Sequence, residues 1–274
     1  MSITSEAVNH GRVIYARAYV RMKGLLREPH WSIAEVIIPM LSISAYIYMY
    51  QVLNAPNEFL GFVIVGGAML SFWSNVLWGM SSQFYWEKET GTLGLYLIAP
   101  ISRMAVLVGM ALGGMINTTI RALSILFIGI ILFPINLVIG DVYALAIIFT
   151  LTVIALYGMG ILFASLFLLY GREATHIADL LQEPIYLLSG MYYPVLGSRF
   201  FPLAIKFLAS AIPLTLGIDG MRQLLILGGD FNSVILHIIG LVILSSVLLP
   251  FAHFALQKME NVSKREGRLT LRWQ

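Results

Sequence analysis

The sequence contains no cysteine and little charge: Asp, Glu, Lys and Arg make up 11% of its 274 residues, against about 25% in an average soluble domain. Without cysteine there is no disulfide framework, no thiolate metal site and no cysteine nucleophile. No G-x-x-x-x-G-K-[ST] loop is present, so the chain does not bind ATP in the P-loop manner. The H-E-x-x-H and G-x-S-x-G patterns of zinc proteases and serine hydrolases are missing too. What is there is apolar: 59% of residues are hydrophobic and the mean hydropathy is +0.85. This composition excludes an ordinary cytosolic enzyme, a disordered chain and a nucleic-acid-binding domain. It predicts an all-α integral membrane protein, with membrane lipid as an obligatory partner.

A bilayer core takes about 20 apolar residues in a helix. Runs of that kind are Val36–Leu53, Phe59–Trp86, Met104–Gly140 (broken by Arg121), Val142–Gly171, Thr175–Tyr193 (carrying Asp179 and Glu183) and Phe231–Gln257. Six transmembrane helices are therefore expected within residues 31–257. Residues 1–30 form a cytoplasmic amphipathic helix and 258–274 a basic cytoplasmic tail. Met1–Arg27 hold five Lys or Arg but no continuous apolar core, so the spans themselves direct insertion. Between spans five and six, Pro194, Pro202 and Pro213 break an apolar stretch into pieces too short to cross, which predicts short re-entrant helices. Thirteen Lys and Arg, among them Arg12, Arg17, Arg21, Lys88, Arg103, Arg172, Arg268 and Arg272, fall on one side of this scheme. Only Arg199, Lys206 and Arg222 fall on the other. The positive-inside rule then makes both termini cytoplasmic, in a multi-pass protein of the cell membrane.

Four features stand out. In Arg12–Arg27, Ile14, Tyr15, Ala18, Tyr19, Met22, Leu25 and Leu26 share one half of a helix and the basic residues the other. The expectation is a helix lying in the interface with its Arg and Lys toward phosphates. The loop 87–100 is net acidic where base is preferred, and Leu93, Leu95, Leu97 and Ile98 give it an apolar edge that needs a protein to dock against. Asp219 and Arg222 are spaced i, i+3 among apolar residues and are expected to form a local ion pair. Arg121, with Asn117 one turn away, stands inside a span and must face a partner or a watery cavity, or snorkel. His176, Asp179 and Glu183 are a weak metal or proton-relay pattern at the membrane edge. His237 and His253 are expected to be packed.

The acidic loop and the late proline-rich stretch together resemble a known family, the ABC-2 type permeases, which are membrane subunits of ATP-binding-cassette exporters. The loop stands as Glu87-Lys88-Glu89-Thr90-Gly91-Thr92-Leu93 with Pro100 following. The late pattern is Ser189-Gly190, Tyr193-Pro194, Pro213-Leu214-Thr215 and Arg222. The resemblance implies that Glu87, Lys88, Glu89, Gly91, Thr92 and Leu93 form a coupling helix docking into a separate cytoplasmic P-loop ATPase. It also implies that the amphipathic helix touches that ATPase. Gly190, Tyr193, Pro194, Pro213, Asp219 and Arg222 would belong to an external re-entrant gate over 194–222. Two permease copies or paralogues would pair around a path, with span five near the interface. This chain would bind no cofactor; ATP and Mg would sit on the partner. A hydrophobic or amphiphilic substrate (drug, lipid or lipid-linked glycan) would move outward. Asn117 and Arg121 are candidates for that path, although Arg121 matches no family motif. The competing classes are a secondary transporter or channel, for which internal repeats are missing, and a lipid-modifying membrane enzyme built on His176, Asp179 and Glu183.

Overall fold

The computed structural model describes residues 3–99, 101–170 and 173–266. The expectations resting on Pro100, Gly171, Arg172, Arg268 and Arg272 lie outside the described residues, as do those on the side chains of Leu25, Leu26 and Leu97. The described residues are helical, with no strand among them. Eleven α-helices run in order: α1 (Ile3–Arg27), α2 (Pro29–Val52), α3 (Glu58–Ser74), α4 (Gln83–Glu89), α5 (Leu93–Ile98), α6 (Arg103–Leu132), α7 (Val142–Tyr170), α8 (Glu173–Ser189), α9 (Leu203–Ser210), α10 (Pro213–Leu225) and α11 (Phe231–Arg265). A π-helical segment, Asn75–Ser81, joins α3 to α4.

Five stretches are long and apolar enough to cross a membrane: His30–Val52, Glu58–Glu89, Arg103–Leu132, Val142–Tyr170 and Phe231–Arg265. The pair α9–α10, bent by 98°, raises this to six if it is one broken span. The expected fifth span is α8, which has 17 residues and carries Glu173, Asp179 and Glu183, so it does not qualify. The third span stops at Leu132, well before Gly140. Pro134 disfavours the helical region for the residue before it, and Phe133 is extended (φ −127°, ψ 143°). The chain then runs beside α10 instead, with Val138 N–H donating to the Leu225 carbonyl at 2.9 Å and Gly140 N–H to Leu224 at 2.9 Å.

The span containing α3 is the centre of the bundle: 83% of its most apolar window is buried, against 17% for α2 and for α11. Val63, Trp73, Leu77 and Phe84 along it are almost fully enclosed by α2, α6, α7 and α10. The outer helices keep Ile38, Leu41, Phe127, Leu236 and Phe254 exposed, an apolar exterior that a soluble protein would not carry.

Hydrocarbon gives no hydrophobic drive between helices, so close packing has to hold them together. The clearest case is α1 on α6. Gly109 and Gly113 are spaced four apart, and a Cβ on either would come within 2.7 Å of the Ile14 or Ala18 carbonyl oxygen. The face of α1 against α6 is thus Ile14, Arg17, Ala18 and Arg21. This departs from the expected basic face at Arg17 and Arg21. Arg17 and Arg21 are half-buried and turned inward, while Tyr15 and Val20 are exposed. Arg12, Lys23 and Arg27 remain exposed.

The π segment has a local cause. Ser82 N–H donates to Leu77 five residues back (3.3 Å). Ser81 Oγ lies 2.7 Å from the carbonyls of both Val76 and, on α7, Gly160, which share its one proton. Side-chain hydroxyls therefore absorb the backbone groups that the irregular turn releases, as a membrane interior demands.

Replacing Gly113 with Leu is expected to overpack the α1–α6 contact and lower stability in detergent by about 1–3 kcal/mol. Gly24→Ala, where a Cβ meets open space, leaves the melting temperature unchanged or slightly raised. Thermal unfolding of the two variants checks this.

Candidate functional site

Three polar constellations interrupt the apolar bundle. The first is the acidic turn. α4 ends at Glu89, Thr90 caps it, and Gly91 adopts φ +75°, a left-handed conformation that glycine takes without strain. Gly91 N–H donates to the Lys88 carbonyl and Thr90 N–H to Trp86, each at 3.0 Å. Glu87 is buried and is the hub of the turn. It accepts from Arg17 Nη2 at 2.8 Å and from Gln83 Nε2 at 2.7 Å, and Thr92 Oγ1 donates to its other oxygen. Leu93 is buried beneath. The candidate residues therefore divide: Glu87, Thr92 and Leu93 build the turn and tie it to α1, Lys88 is half-buried, and Glu89 and Gly91 face outward. Trp86, Leu95 and Ile98 surround them with exposed apolar surface, Ile98 at 85% exposure.

The second constellation is Arg222 on α10, 2% exposed. The expected ion pair with Asp219 does not form. Arg222 instead donates to main-chain carbonyls: to Phe62 on α3 from Nε (3.1 Å) and Nη2 (2.8 Å), to Met191 from Nη2 (2.7 Å) and to Tyr193 from Nη1 (3.3 Å). A rigid fork of donors suits splayed carbonyls, and a lysine could not match it. The turn that it grips starts at Gly190 (φ +64°). Gly66 on α3 lets that turn approach, since a Cβ there would collide with the Met191 carbonyl. The turn is also held from α2: Tyr50 Oη donates to Tyr192 at 2.9 Å, and Tyr46 stacks on Tyr192 with centroids 4.0 Å apart. Asp219 turns the other way, to His237 Nε2 on α11 at 2.8 Å and to Gln223 at 3.3 Å. Pro213 is buried at the first turn of α10. Pro194, Asp219, Arg222, Glu58 and Ser233 line an open cleft of about 440 Å³.

The third is Arg121 on α6. It pairs with Glu35 on α2 at 3.0 Å and donates to the Ser71 carbonyl on α3 at 2.8 Å. Counted at 1.5 Å per residue, Arg121 is roughly 27 Å from the start of α6, whereas Glu35 is only about 9 Å into α2. The contact puts them level, so the first half of α6 extends beyond the level at which the apolar run of α2 begins, and α1 packs along that extension. Asn117 is half-buried and lines a cleft between α2 and α6 with Arg121. Asn75 of the π segment donates to Tyr157 Oη (3.3 Å), which donates to the Ala111 carbonyl (3.1 Å).

Each set contains partners that the sequence pattern did not assign to it: Arg17, Glu35, Tyr50 and His237, the last expected only to be packed. Glu35 was signalled indirectly. An arginine in a span requires a counter-charge, and Glu35 opens the first apolar run. His176, Asp179 and Glu183 are exposed on α8, and no group among the described residues brings three His, Cys, Asp or Glu together around a metal.

Removing one partner of a buried pair leaves the other charge uncompensated. Arg121→Met alone and Glu35→Met alone are each expected to cost about 3–5 kcal/mol, and the double variant to recover most of the loss. A denaturation cycle on the four proteins checks this coupling. Arg222→Lys is expected to loosen the 190–193 turn, seen as new proteolytic cleavage there.

The family of ABC-2 type transporters matches residues 13–226, from α1 through the end of α10. No curated protein matches the chain. The match takes in all three constellations apart from Ser233 and His237 on α11, and the chain belongs to the ABC-2 type transporter family as a multi-pass membrane component.

Proposed function

We propose that this protein is the permease subunit of an exporter, driven by a separate cytoplasmic P-loop ATPase that binds ATP and Mg. It would work as a pair of permease copies or paralogues and move a hydrophobic or amphiphilic substrate outward. The observation that carries this reading is the α4–α5 turn. It leaves Trp86, Leu95 and Ile98 exposed beside Glu89, on a turn whose own hydrogen bonds converge on the buried Glu87. A stiff, partly apolar projection at the basic end of the bundle suits docking into a groove of another protein.

The mechanism is a population shift. ATP binding draws two ATPase subunits together, and the turn follows as a rigid body. α4 continues through the π segment into the buried α3, and Glu87 joins the turn to α1 through Arg17. Displacement of the turn is therefore delivered to the centre of the bundle and to α6 at once. At the far end, the Arg222 fork binds α3 to the turn at 190–193, so movement of α3 reaches the α9–α10 pair. The candidate path residues Asn117 and Arg121 lie between the two ends of this mechanical chain, with Arg121 bonded to α3 at Ser71.

Leu95→Asp with Ile98→Asp is expected to reduce co-purification of a P-loop ATPase, co-expressed from a neighbouring gene, by at least tenfold, with the permease still folded. Charge reversal at the outward-facing Glu89 gives a smaller loss. Undiminished capture of the ATPase by the double variant would refute the docking assignment.

A further inference from the structure

A cleft of about 380 Å³ opens between α1, α2 and α6, lined by Arg17, Arg21, Glu28, Trp31, Glu35 and Met110. Most of its charges are already compensated: Arg17 by Glu87, and Glu35 by Arg121. Arg21 is the exception. It makes no ion pair or hydrogen bond among the described residues, and its Nε is buried without a partner. Its guanidinium is held against the π segment, where a Cβ on Gly79 would lie 2.8 Å from Nη2. Burial lowers its pKa and the nearby Glu35 opposes that shift. Glu28 at the rim is exposed. A half-buried, uncompensated guanidinium is costly unless an anion meets it.

The cleft does not end at this head. Glu35 also borders a second cleft of about 370 Å³ between α2 and α6, the one that Asn117 and Arg121 line; Ile33, Val36, Ile37, Ile120 and Ile128 give it an apolar wall. The two together are amphiphilic: a cationic head compartment continuous with an apolar groove. Their position agrees with this. Arg21 and Trp31 sit level with the beginning of the first apolar run, with Lys23 and Arg27 exposed nearby, the residue types that mark a membrane interface.

We infer that this composite cleft is a binding site for an anionic phospholipid, its phosphate held by Arg21 and its acyl chain laid in the α2–α6 groove. The site is distinct from the acidic turn and from the Arg222 cleft, and it stands whether or not the ATPase reading holds. Bound lipid would give the Arg21 guanidinium a direct anionic partner where α1, α2, α6 and the π segment meet.

The test uses the full chain purified in a neutral detergent. Dioleoyl phosphatidylglycerol, dioleoyl phosphatidylcholine and inorganic phosphate are added separately, with retention read by native mass spectrometry and stability by melting temperature. Phosphatidylglycerol is expected to be retained at least fivefold better than phosphatidylcholine and to raise the melting temperature by several degrees, while inorganic phosphate does neither. Arg21→Gln abolishes the preference, Arg21→Lys keeps part of it, and Arg12→Gln on the exposed face of α1 keeps all of it. Ile120→Trp, which fills the groove, weakens retention while leaving Arg21 in place. Equal retention of the two lipids would overturn the site, as would preserved preference in Arg21→Gln. An equal response to inorganic phosphate would show an anion pocket without a lipid and overturn it as well. If Arg21→Gln does not fold, the headgroup comparison on the native chain and Ile120→Trp still decide.

Discussion

Arginine in an apolar bundle cannot be left to itself, and the architecture of this protein follows from how its guanidinium groups are answered. Three arginines tie elements far apart in the chain. Arg17 joins α1 to the acidic turn, Arg121 joins α6 to α2 and α3, and Arg222 joins α10 to α3 and to the turn at 190–193. The three answers differ in chemistry. Arg17 and Arg121 each meet a carboxylate, whereas Arg222 gives its hydrogen bonds to main-chain carbonyls and lies over the Phe62 ring, while Asp219 bonds to His237. The cost of uncompensated charge in hydrocarbon makes these ties specific rather than interchangeable.

α3 is where the ties converge. It is the most enclosed helix, it accepts from two of the three arginines through Phe62 and Ser71, and it runs through the π segment into the turn at its end. A helix so placed cannot move without moving its neighbours, which suits an element that transmits displacement between the two ends of a transporter. The π segment adds a local irregularity in which Ser81 Oγ meets the segment's own Val76 carbonyl and the Gly160 carbonyl of α7. Such a bulge changes the rotation of everything beyond it, and here what lies beyond it is the exposed Trp86, Leu95 and Ile98 surface.

Packing against α6 shows the other constraint. Gly109 and Gly113 bring the backbone of α1 into contact, and this carries Arg17 and Arg21 inward along with Ile14 and Ala18. An amphipathic wheel treats the lipid as the only apolar surface available to α1. Once α6 supplies a groove, the best-packed face is the one with the smallest residues, and it includes two arginines because Glu87 and the α1–α2–α6 cleft receive them.

Much of this was written in the chain itself. Apolar runs of about 20 residues leave few alternatives to membrane helices, so the class, five of the six expected spans (the third with too late an end) and the broken region before α11 were legible from spacing alone. The acidic loop and the proline-rich stretch marked two of the three constellations because glycine, proline and charge are rare in such a sequence. Partnership was not legible. Asp219 and Arg222 lie one turn apart and yet face different helices, and Glu35 and Arg121 are separated by 86 positions and yet touch. α8 has the length of a helix but too many acids to count as a span, and Arg121 looks central in its run although α6 overshoots the apolar level. Local sequence determines which segments are helical and which residues are costly to bury. Only the packed bundle decides which charge answers which, because depth, tilt and the direction of a side chain are properties of helices against one another.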